Sequence, residues 1–310
     1  MACHYAIAKL KLPETGITLV EKGLWHMNCD ERGMYDFAYT LVKSAGVQLK
    51  QARSQFRIHV REKTSQMDLV TDQDVLIEKF LVEEILKRYP EHNFLAEESY
   101  VSGDQDNVNY NREAYTWIID PIDGTINYYR WGKDYAISLA LYRNQSPIFG
   151  LVYDVANDIM YGGRQHEGAL RNGIRLDTLT EGHKSLNKAI VAMSLRTMRE
   201  FEGIGMDVLE MLSKVQAHRY MGCASLELCK VANGEYDLFI SSNVYEWDVA
   251  AARIFLEQRG GVFLYLKKDN YRFAGSKMFV AAFRSALIWK ETLEHLPECI
   301  KLGFDAQMTY

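Results

Sequence analysis

The chain has 310 residues, of which 48% are hydrophobic and 25% are charged. These are ordinary values for a globular protein, so disorder, a collagen helix and a long coiled coil are excluded as its main organisation. The 36 basic and 41 acidic residues give a net charge of −5, which disfavours general binding to nucleic acid or to anionic membranes.

Hydropathy and cysteine usage predict a cytoplasmic protein. The five cysteines are scattered and form no Cys-x-x-Cys pair, which is typical of reduced thiols. The longest apolar stretches are too short to span a bilayer, and the N-terminus lacks the apolar core of a signal peptide.

The N-terminal part of the sequence shows no sustained hydrophobic period. We interpret residues 1–33 as an N-terminal extension, ordered or not, outside the main fold; a packed arm is the alternative. An amphipathic pattern then predicts a helix from Tyr35 to Ser54. A second helix is predicted from Asp74 to Tyr89, because Pro90 disfavours its continuation.

The rest of the pattern predicts a mixed α/β protein of the α+β kind. Strands are expected at Asn93–Ala96 and Tyr115–Ile119, followed by a hairpin over Tyr135–Tyr153. Strands and helices then alternate, which indicates a layered architecture rather than a barrel. The elements expected in this half are strand Ala189–Ser194, helix Gly205–Val215, helix Ser225–Val231, strand Tyr236–Ile240, helix Asp248–Glu257, strands Val262–Tyr265 and Met278–Ala282, and helix Ser285–His295.

The strongest chemical signal is the run Trp117–Thr125, which reads W-I-I-D-P-I-D-G-T. An apolar strand delivers Asp120 and Asp123 to its end, and Pro121 stiffens the turn between them. Gly124-Thr125 then begins a short helix. Carboxylates suit hard cations and free helix amides suit phosphate, so the run predicts a combined metal and phosphate site.

Further acids stand at predicted strand ends or helix starts. They are the pair Glu97-Glu98, Asp248 after Trp247, and Asp68 with Asp74. Each alone is explained by ordinary surface acids or helix caps. Together with Asp120 and Asp123 they match what a site for several Mg²⁺ ions needs.

In this order the motifs resemble the inositol monophosphatase family of Mg²⁺-dependent, lithium-sensitive phosphatases, in a bacterial form, over roughly Tyr35 to Gly303. The motifs that carry the resemblance are Lys63, Asp68–Asp74, Glu97–Ser99, Asp120–Thr125 and Trp247–Ala251. The resemblance implies a layered αβαβα sandwich of the inositol monophosphatase and fructose-1,6-bisphosphatase type. It also implies one catalytic unit over residues 34–303, with a metal-site α+β lobe (34–180), an α/β lobe (181–303) and a tail (304–310).

The resemblance assigns roles to individual residues. Thr125 and Asp74 are expected to orient the attacking water, with Glu97 also part of the catalytic set. The amides of Gly124 and Thr125 are expected to hold the phosphate. Two to three Mg²⁺ ions are expected, two of them sharing Asp120. The implied metal ligands are Glu97, Asp120, the carbonyl of Ile122, Asp123, Asp248 and, through water to a third and weaker ion, Asp68.

Substrate selectivity is left open by the sequence. Gly222-Cys223-Ala224 resembles the family's loop beside the substrate hydroxyls, but Ser241 stands where inositol-directed members carry a glutamate. Arg253 replaces a usually small residue, and we expect it to face solvent, with contact to a second phosphate as the alternative.

The predicted substrate is a small phosphate monoester, inositol monophosphate first. The alternatives within the enzyme class are the 2′-phosphate of NADP, fructose 1,6-bisphosphate and 3′-phosphoadenosine 5′-phosphate. From another class, a non-catalytic protein-binding regulator remains open. The resemblance also implies a homodimer. The net charge of −5 argues against direct contact with nucleic acid, and no contact with a membrane is expected.

Overall fold

The computed structural model describes residues 27–55, 60–65, 68–102, 114–179, 185–267, 277–296 and 301. Its helices are α1 (Cys29–Gln55), α2 (Asp72–Arg88), α3 (Glu97–Ser102), α4 (Thr125–Trp131), α5 (Leu195–Gly203), α6 (Val208–Ser213), α7 (Ala224–Asn233), α8 (Glu246–Gln258) and α9 (Ala286–Leu293). Its strands are β1 (Val60–Ser65), β2 (Asp68–Thr71), β3 (Asn93–Ala96), β4 (Tyr115–Asp123), β5 (Ala136–Arg143), β6 (Ser146–Asp154), β7 (Ile159–Arg164), β8 (Gly168–Arg171), β9 (Ile174–Leu176), β10 (Ile190–Ala192), β11 (Ala217–Arg219), β12 (Leu238–Val244), β13 (Val262–Lys267) and β14 (Met278–Phe283). No helix in these ranges combines the length and the apolar character needed to cross a bilayer.

The larger sheet contains β3 to β9 in chain order. β3 and β4 run parallel, and the later neighbours are antiparallel. The predicted hairpin is confirmed as β5 and β6. Its turn residues Asn144 and Gln145 have φ values of 48° and 64°, the left-handed conformation that tight hairpins favour because it matches the strand twist.

The smaller sheet has the order β11-β10-β12-β14-β13. β10 is parallel to both of its neighbours, whereas β14 is antiparallel to β12 and β13. Separately, β1 and β2 form an antiparallel pair that leads into α2. The chain therefore moves from an antiparallel meander to alternating strands and helices, as the sequence predicts.

Three apolar clusters show how the layers stack. Helices α1 and α2 cover one face of the larger sheet, for example through Leu49 and Leu81. Helices α7 and α8 lie between the two sheets, where Phe255 packs among side chains of both. Helices α5, α6 and α9 cover the far face of the smaller sheet. The predicted αβαβα sandwich is confirmed.

Two glycines allow α8 to lie directly on the larger sheet. A Cβ on Gly150 would lie 2.4 Å from the carbonyl oxygen of Ala251, and one on Gly163 would lie 2.6 Å from the amide nitrogen of Phe255. Contacts this short exclude any side chain at these positions. The close approach fixes the height of α8, and with it the position of its first turn, above β6 and β7.

The predicted start of the first helix is wrong. α1 begins at Cys29, because Asn28 and Glu31 form a reciprocal cap: the amide of Glu31 donates to the Asn28 side chain (2.8 Å) and that of Asn28 donates to Glu31 (3.0 Å). Met27 is buried, and its amide donates to Glu167 (3.1 Å). Residues 27–33 thus belong to the packed fold, and residues 1–26 lie outside the described residues.

The predicted helix Gly205–Val215 is confirmed over a shorter range as α6, whereas α5, which precedes it, is not predicted by the sequence pattern. α5 ends at Gly203, Gly205 has a φ of 93°, and Asp207 caps α6 through the amide of Glu210 (2.9 Å). The division into lobes at 180/181 stays a prediction, since residues 180–184 lie outside the described residues, as does the tail 304–310.

The expectation that Arg253 faces solvent holds only in part, because its side chain is 28% exposed. Its Nε donates to Glu257 (2.7 Å), and its guanidinium lies over the rings of Phe263 (5.5 Å) and Tyr265 (5.8 Å). The arginine therefore has a structural role, because its long stem packs between α8 and β13 and its charge is paired with Glu257. Contact with a second phosphate gains no support from this placement.

Candidate active site

Parallel pairing of β3 and β4 brings the first two acids to one edge of the larger sheet. Ala96 pairs with Ile119, so Glu97 and Asp120 follow these residues at the same level. Glu97 is the first residue of α3, and Asp120 is 2% exposed. Two carboxylates that the sequence places 23 positions apart therefore meet at the end of adjacent strands.

The turn after Asp120 is irregular in a way that redirects its side chains. The register between β4 and β5 shifts between Asp120 and Asp123, and the Asp120 carboxylate accepts a hydrogen bond from the amide of Ile122 (3.0 Å). Irregularities of this kind re-aim side chains near functional sites. The Ile122 carbonyl lies 3.1 Å from the Thr125 hydroxyl.

Asp123 is held by the start of α7. Its Oδ2 accepts hydrogen bonds from the amide (2.6 Å) and hydroxyl (2.5 Å) of Ser225 and from the thiol of Cys223 (3.3 Å). Its Oδ1 accepts from the amide of Ala224 (3.2 Å). Burial raises the pKa of Asp123, while these donors oppose the rise by stabilising the carboxylate.

Gly124 follows Asp123 and packs against the loop before α7. Its φ is 87°, and a Cβ here would lie 3.1 Å from the carbonyl oxygen of Asp134 and 3.2 Å from the Cβ of Cys223. Only glycine takes this conformation readily at such close quarters. The predicted phosphate-binding residues Gly124, Thr125, Gly222, Cys223 and Ala224 are therefore brought together.

Asp74 and Thr125 form the contact that the resemblance implies. The Thr125 hydroxyl donates to Oδ1 of Asp74 over 3.0 Å, and Asp74 is fully buried. Oδ2 of Asp74 accepts from the amide (2.7 Å) and hydroxyl (2.5 Å) of Thr71, which caps α2. The carboxylate is thus both a helix cap and the partner of Thr125.

Asp248 lies in the first turn of α8. Its carboxylate accepts from the amide of Tyr245 (2.8 Å), which fixes the start of the helix. Next to it, the carbonyl of Trp247 accepts from the hydroxyl of Ser138 (3.1 Å). Ser138 stands opposite Asp120 in the pairing of β4 and β5, so this bond ties α8 to the strand that carries Asp120.

The loop before α7 is fixed by residues that the sequence analysis missed. The side-chain amide of Asn127 donates to the carbonyls of Asp134 (2.7 Å) and Met221 (2.8 Å), linking α4 to this loop. Glu227 accepts from the amide of Met221 (2.7 Å), and burial raises its pKa to about 7. Spacing gives no signal for these contacts, because they depend on how distant loops meet.

Cys223 stands in this loop as a buried thiol. Burial, and the proximity of Asp123, raise its pKa well above the ordinary range, so it donates to the carboxylate rather than acting as a nucleophile. The described cysteines Cys29, Cys223 and Cys229 are all free.

Glu78 is a further residue that sequence reasoning missed. It is 3% exposed and lies one helical turn after Asp74 on α2. Its carboxylate accepts from the amides of Glu98 (2.7 Å) and Ser99 (2.8 Å) and from the Ser99 hydroxyl. The spacing of four residues from Asp74 is the signal that could have found it, since such residues share a helix face.

Two predicted site residues are not linked to the others by any of the contacts above. The backbone of Asp68 pairs with Ser65 at the start of β2, and its side chain lies outside the described residues. Ser241 lies in β12 of the smaller sheet, where its hydroxyl accepts from the amide of Asn243 (3.4 Å).

The donor set fits a hard divalent cation. Carboxylates and a backbone carbonyl present oxygen atoms, which Mg²⁺ prefers over the nitrogen and sulfur ligands of zinc sites. Among the described residues, no group of three or more His, Cys, Asp and Glu side chains is already close enough to hold an ion. The fit therefore rests on the chemistry of the acids and on the position of Glu97 and Asp120 at one edge of the larger sheet.

Comparison with known proteins identifies the family of the chain. The profile of the inositol monophosphatase family matches residues 30–300. The chain belongs to this family. Inositol monophosphatase 1 of Bos taurus is 35% identical over 233 residues, 74% of this chain and 82% of that protein. Inositol-1-monophosphatase of Bacillus subtilis (strain 168) is 33% identical over 239 residues, 77% and 87% of the two chains.

Solved structures agree on the fold. A crystal structure of an IMPase/NADP phosphatase complexed with Mg²⁺ and phosphate has a TM-score of 0.73 at 24% identity and covers 87% of this chain and 97% of the other. One of 2′-AMP bound SaIMPase-II has a TM-score of 0.70 at 26% identity, covering 86% and 94%. As a member of a family of Mg²⁺-dependent phosphatases, the chain is a phosphoric monoester hydrolase.

Proposed function

We propose that this phosphatase hydrolyses inositol monophosphate to inositol and phosphate with a metal-activated water. The observation that carries the proposal is the 3.0 Å contact between the Thr125 hydroxyl and the buried carboxylate of Asp74. The hydroxyl has one proton and two acceptors in range, Asp74 and the Ile122 carbonyl (3.1 Å), of which the charged carboxylate is the stronger. Donation to Asp74 leaves the Thr125 oxygen free to accept a proton from water. The pair is thus suited to orient and deprotonate a nucleophilic water.

Two to three Mg²⁺ ions are part of the proposal. Bound ions would neutralise the phosphate dianion and lower the pKa of a coordinated water. The proposed ligands are Glu97, Asp120, the Ile122 carbonyl, Asp123, Asp248 and, through water, Asp68. The amides of Gly124 and Thr125 are proposed to bind the phosphate, since α4 begins there and leaves its first amides without intrahelical partners.

Inositol monophosphate stands first among the candidate substrates because relatives named inositol monophosphatase match most of the chain. Esters of nucleotides remain alternatives, since two of the structural relatives are complexes with NADP and with 2′-AMP. Ser241 supports keeping them open, because a neutral hydroxyl at this position makes no charged contact with sugar hydroxyls. Fructose 1,6-bisphosphate and 3′-phosphoadenosine 5′-phosphate complete the set of candidates.

Phosphate release in millimolar Mg²⁺ tests the proposal with these four ester types as substrates. We expect inositol 1-phosphate to be turned over and Asp120→Asn to abolish the activity. We expect Thr125→Ala to lower kcat by about 10²–10⁴-fold, the usual contribution of a positioned acid–base group. A folded wild type that binds Mg²⁺ but cleaves none of the esters would contradict the proposal and favour a non-catalytic, protein-binding role.

A homodimer, sensitivity to Li⁺ and a cytoplasmic location are also proposed. The free thiols among the described residues suit a reducing compartment. Light scattering on the purified chain measures its mass in solution, and a monomer at micromolar concentration would contradict the dimer. Inhibition by LiCl in the phosphate-release assay tests the second property.

A further inference from the structure

Glu78 lies where an acid is needed to begin α3. The residue before the helix, Ala96, is buried and has no side-chain acceptor for the first amides of the helix. Glu78 supplies that acceptor from α2, because its carboxylate binds the amides of Glu98 and Ser99. The contact joins residues about 20 positions apart, so it fixes α3 against α2 rather than capping it locally.

The helix that Glu78 caps is too short to fix its own direction. α3 has six residues, and isolated helices of this length are unstable because nucleation is unfavourable. Its first residue is Glu97, which continues directly from β3. The direction of the Glu97 side chain therefore depends on the strand before it and on the amide contacts just after it.

The negative charge of Glu78 is itself unfavourable at this place. Glu78 is 3% exposed, and burial raises its pKa; the hydrogen bonds from Ser99 and Glu98 oppose this rise, and the nearby charge of Glu97 adds to it. A serine or asparagine at the position before the helix could accept from the same amides without burying a charge. A cation bound by Glu97 would offset the repulsion between the two carboxylates. This would explain why the residue at position 78 is charged.

We propose that Glu78 is a positioning residue that sets the direction of Glu97 and thereby the affinity of the site for divalent cations. The inference rests on the proposed role of Glu97 as a metal ligand. Asp74 and Glu78, on one face of α2, then serve the two halves of the site. Asp74 holds the water-orienting Thr125, and Glu78 holds the helix that presents Glu97.

Calorimetric titration with MgCl₂, in the absence of any ester, tests the proposal on the full chain. We expect Glu78→Gln to raise the Mg²⁺ dissociation constant by about 10–100-fold, the usual effect of removing a group that orients a ligand. The loss of activity in this variant is expected to be largest at low Mg²⁺ and to shrink as Mg²⁺ approaches saturation, while the KM for the ester stays close to wild type. Glu83→Gln is the matched control, because Glu83 lies on the same helix with its side chain 54% exposed.

A double variant separates positioning from general loss of stability. Glu97→Gln alone should weaken Mg²⁺ binding, and adding Glu78→Gln should weaken it no further, because both act through one side chain. Additive effects, or a folded Glu78→Gln variant with wild-type Mg²⁺ affinity, would overturn the proposal. Should Glu78→Gln fail to fold, Ser99→Ala removes one donor to the same carboxylate and should weaken binding to a smaller extent.

The titration also distinguishes failure of the proposal from failure of the proposed function. A wild type that binds Mg²⁺ but releases no phosphate from any ester contradicts the phosphatase reaction, whereas the comparison of Glu78→Gln with wild type still decides the role of Glu78. Unchanged affinity in Glu97→Gln would overturn both the ligand assignment and the role of Glu78.

Discussion

At the scale of single residues, the two oxygens of Asp74 serve different partners. Oδ1 accepts from Thr125, and Oδ2 accepts from Thr71 at the start of α2. The carboxylate is therefore a helix cap, and the same group makes the contact with Thr125 on which its proposed catalytic role rests. The sequence could show that Asp74 begins a helix, but only the meeting of α2 with α4 shows the second contact.

Separate variants can divide these two tasks. We expect Asp74→Asn to lower kcat by about 10²–10⁴-fold, because an amide is a weaker acceptor for the Thr125 proton. Thr71→Ala should lower the unfolding free energy by about 1 kcal/mol through loss of the cap, while most of kcat is kept. Steady-state kinetics and thermal melting of both variants measure the two effects. An equal loss of kcat in both variants would show that the contact with Thr125 and the cap of α2 cannot be separated.

Glu227 predicts a pH dependence of stability. Its pKa rises from an ordinary value of 4.5 to about 7 because it is buried, so the folded state holds a proton that the unfolded state has released. The contribution of protonated Glu227 to the unfolding free energy is therefore complete below pH 4.5. It is lost as the pH rises to about 7.

The neutral variant Glu227→Gln should escape this loss. Relative to wild type, it is expected to gain unfolding free energy on the order of 2–3 kcal/mol between pH 4.5 and pH 8 in metal-free buffer. Urea unfolding at several pH values measures the difference. A difference between the two proteins that stays constant over this range would show that Glu227 does not titrate as stated.

At the scale of elements, the approach of α8 to the larger sheet explains why glycine is required on β6. We expect Gly150→Ala to lower the unfolding free energy by about 1–3 kcal/mol, because its Cβ would overlap the backbone of Ala251. Gly33→Ala in α1 is the control, since a Cβ there meets nothing within 4 Å and alanine favours helices. Chemical denaturation that shows equal effects for both substitutions would contradict this account of the packing.

The elements also show what can be predicted from sequence. The run Trp117–Thr125 is a local signal: strand, turn and helix follow one another, and their order was predicted correctly. The cap Asn28–Glu31 is equally local but lies in a polar stretch without hydrophobic period, so the hydrophobic pattern predicts a start of α1 that is too late. The bonds of Glu78 to α3 and of Ser138 to α8 depend on the relative placement of distant elements, which no local pattern contains.

At the scale of the whole molecule, the N-terminal boundary of the packed fold can be tested by truncation. Removal of residues 1–33 deletes the cap of α1 and the buried Met27 that contacts Glu167, whereas removal of residues 1–26 leaves both. We expect the longer deletion to melt at a lower temperature than the shorter one. Identical melting temperatures would show that residues 27–33 contribute nothing to the stability of the fold.

The middle layer of the molecule also shapes how its sequence can diverge. α8 is covered by a sheet on either side, and Ala250, Ala251 and Ala252 are all buried at its centre. A larger residue at these positions would overpack the space between the sheets, and a polar residue would lack hydrogen-bond partners. Few substitutions here are therefore compatible with the fold. A deep mutational scan should find α8 the least tolerant helix and α5, α6 and α9 more tolerant, so that neutral drift accumulates in the outer layers.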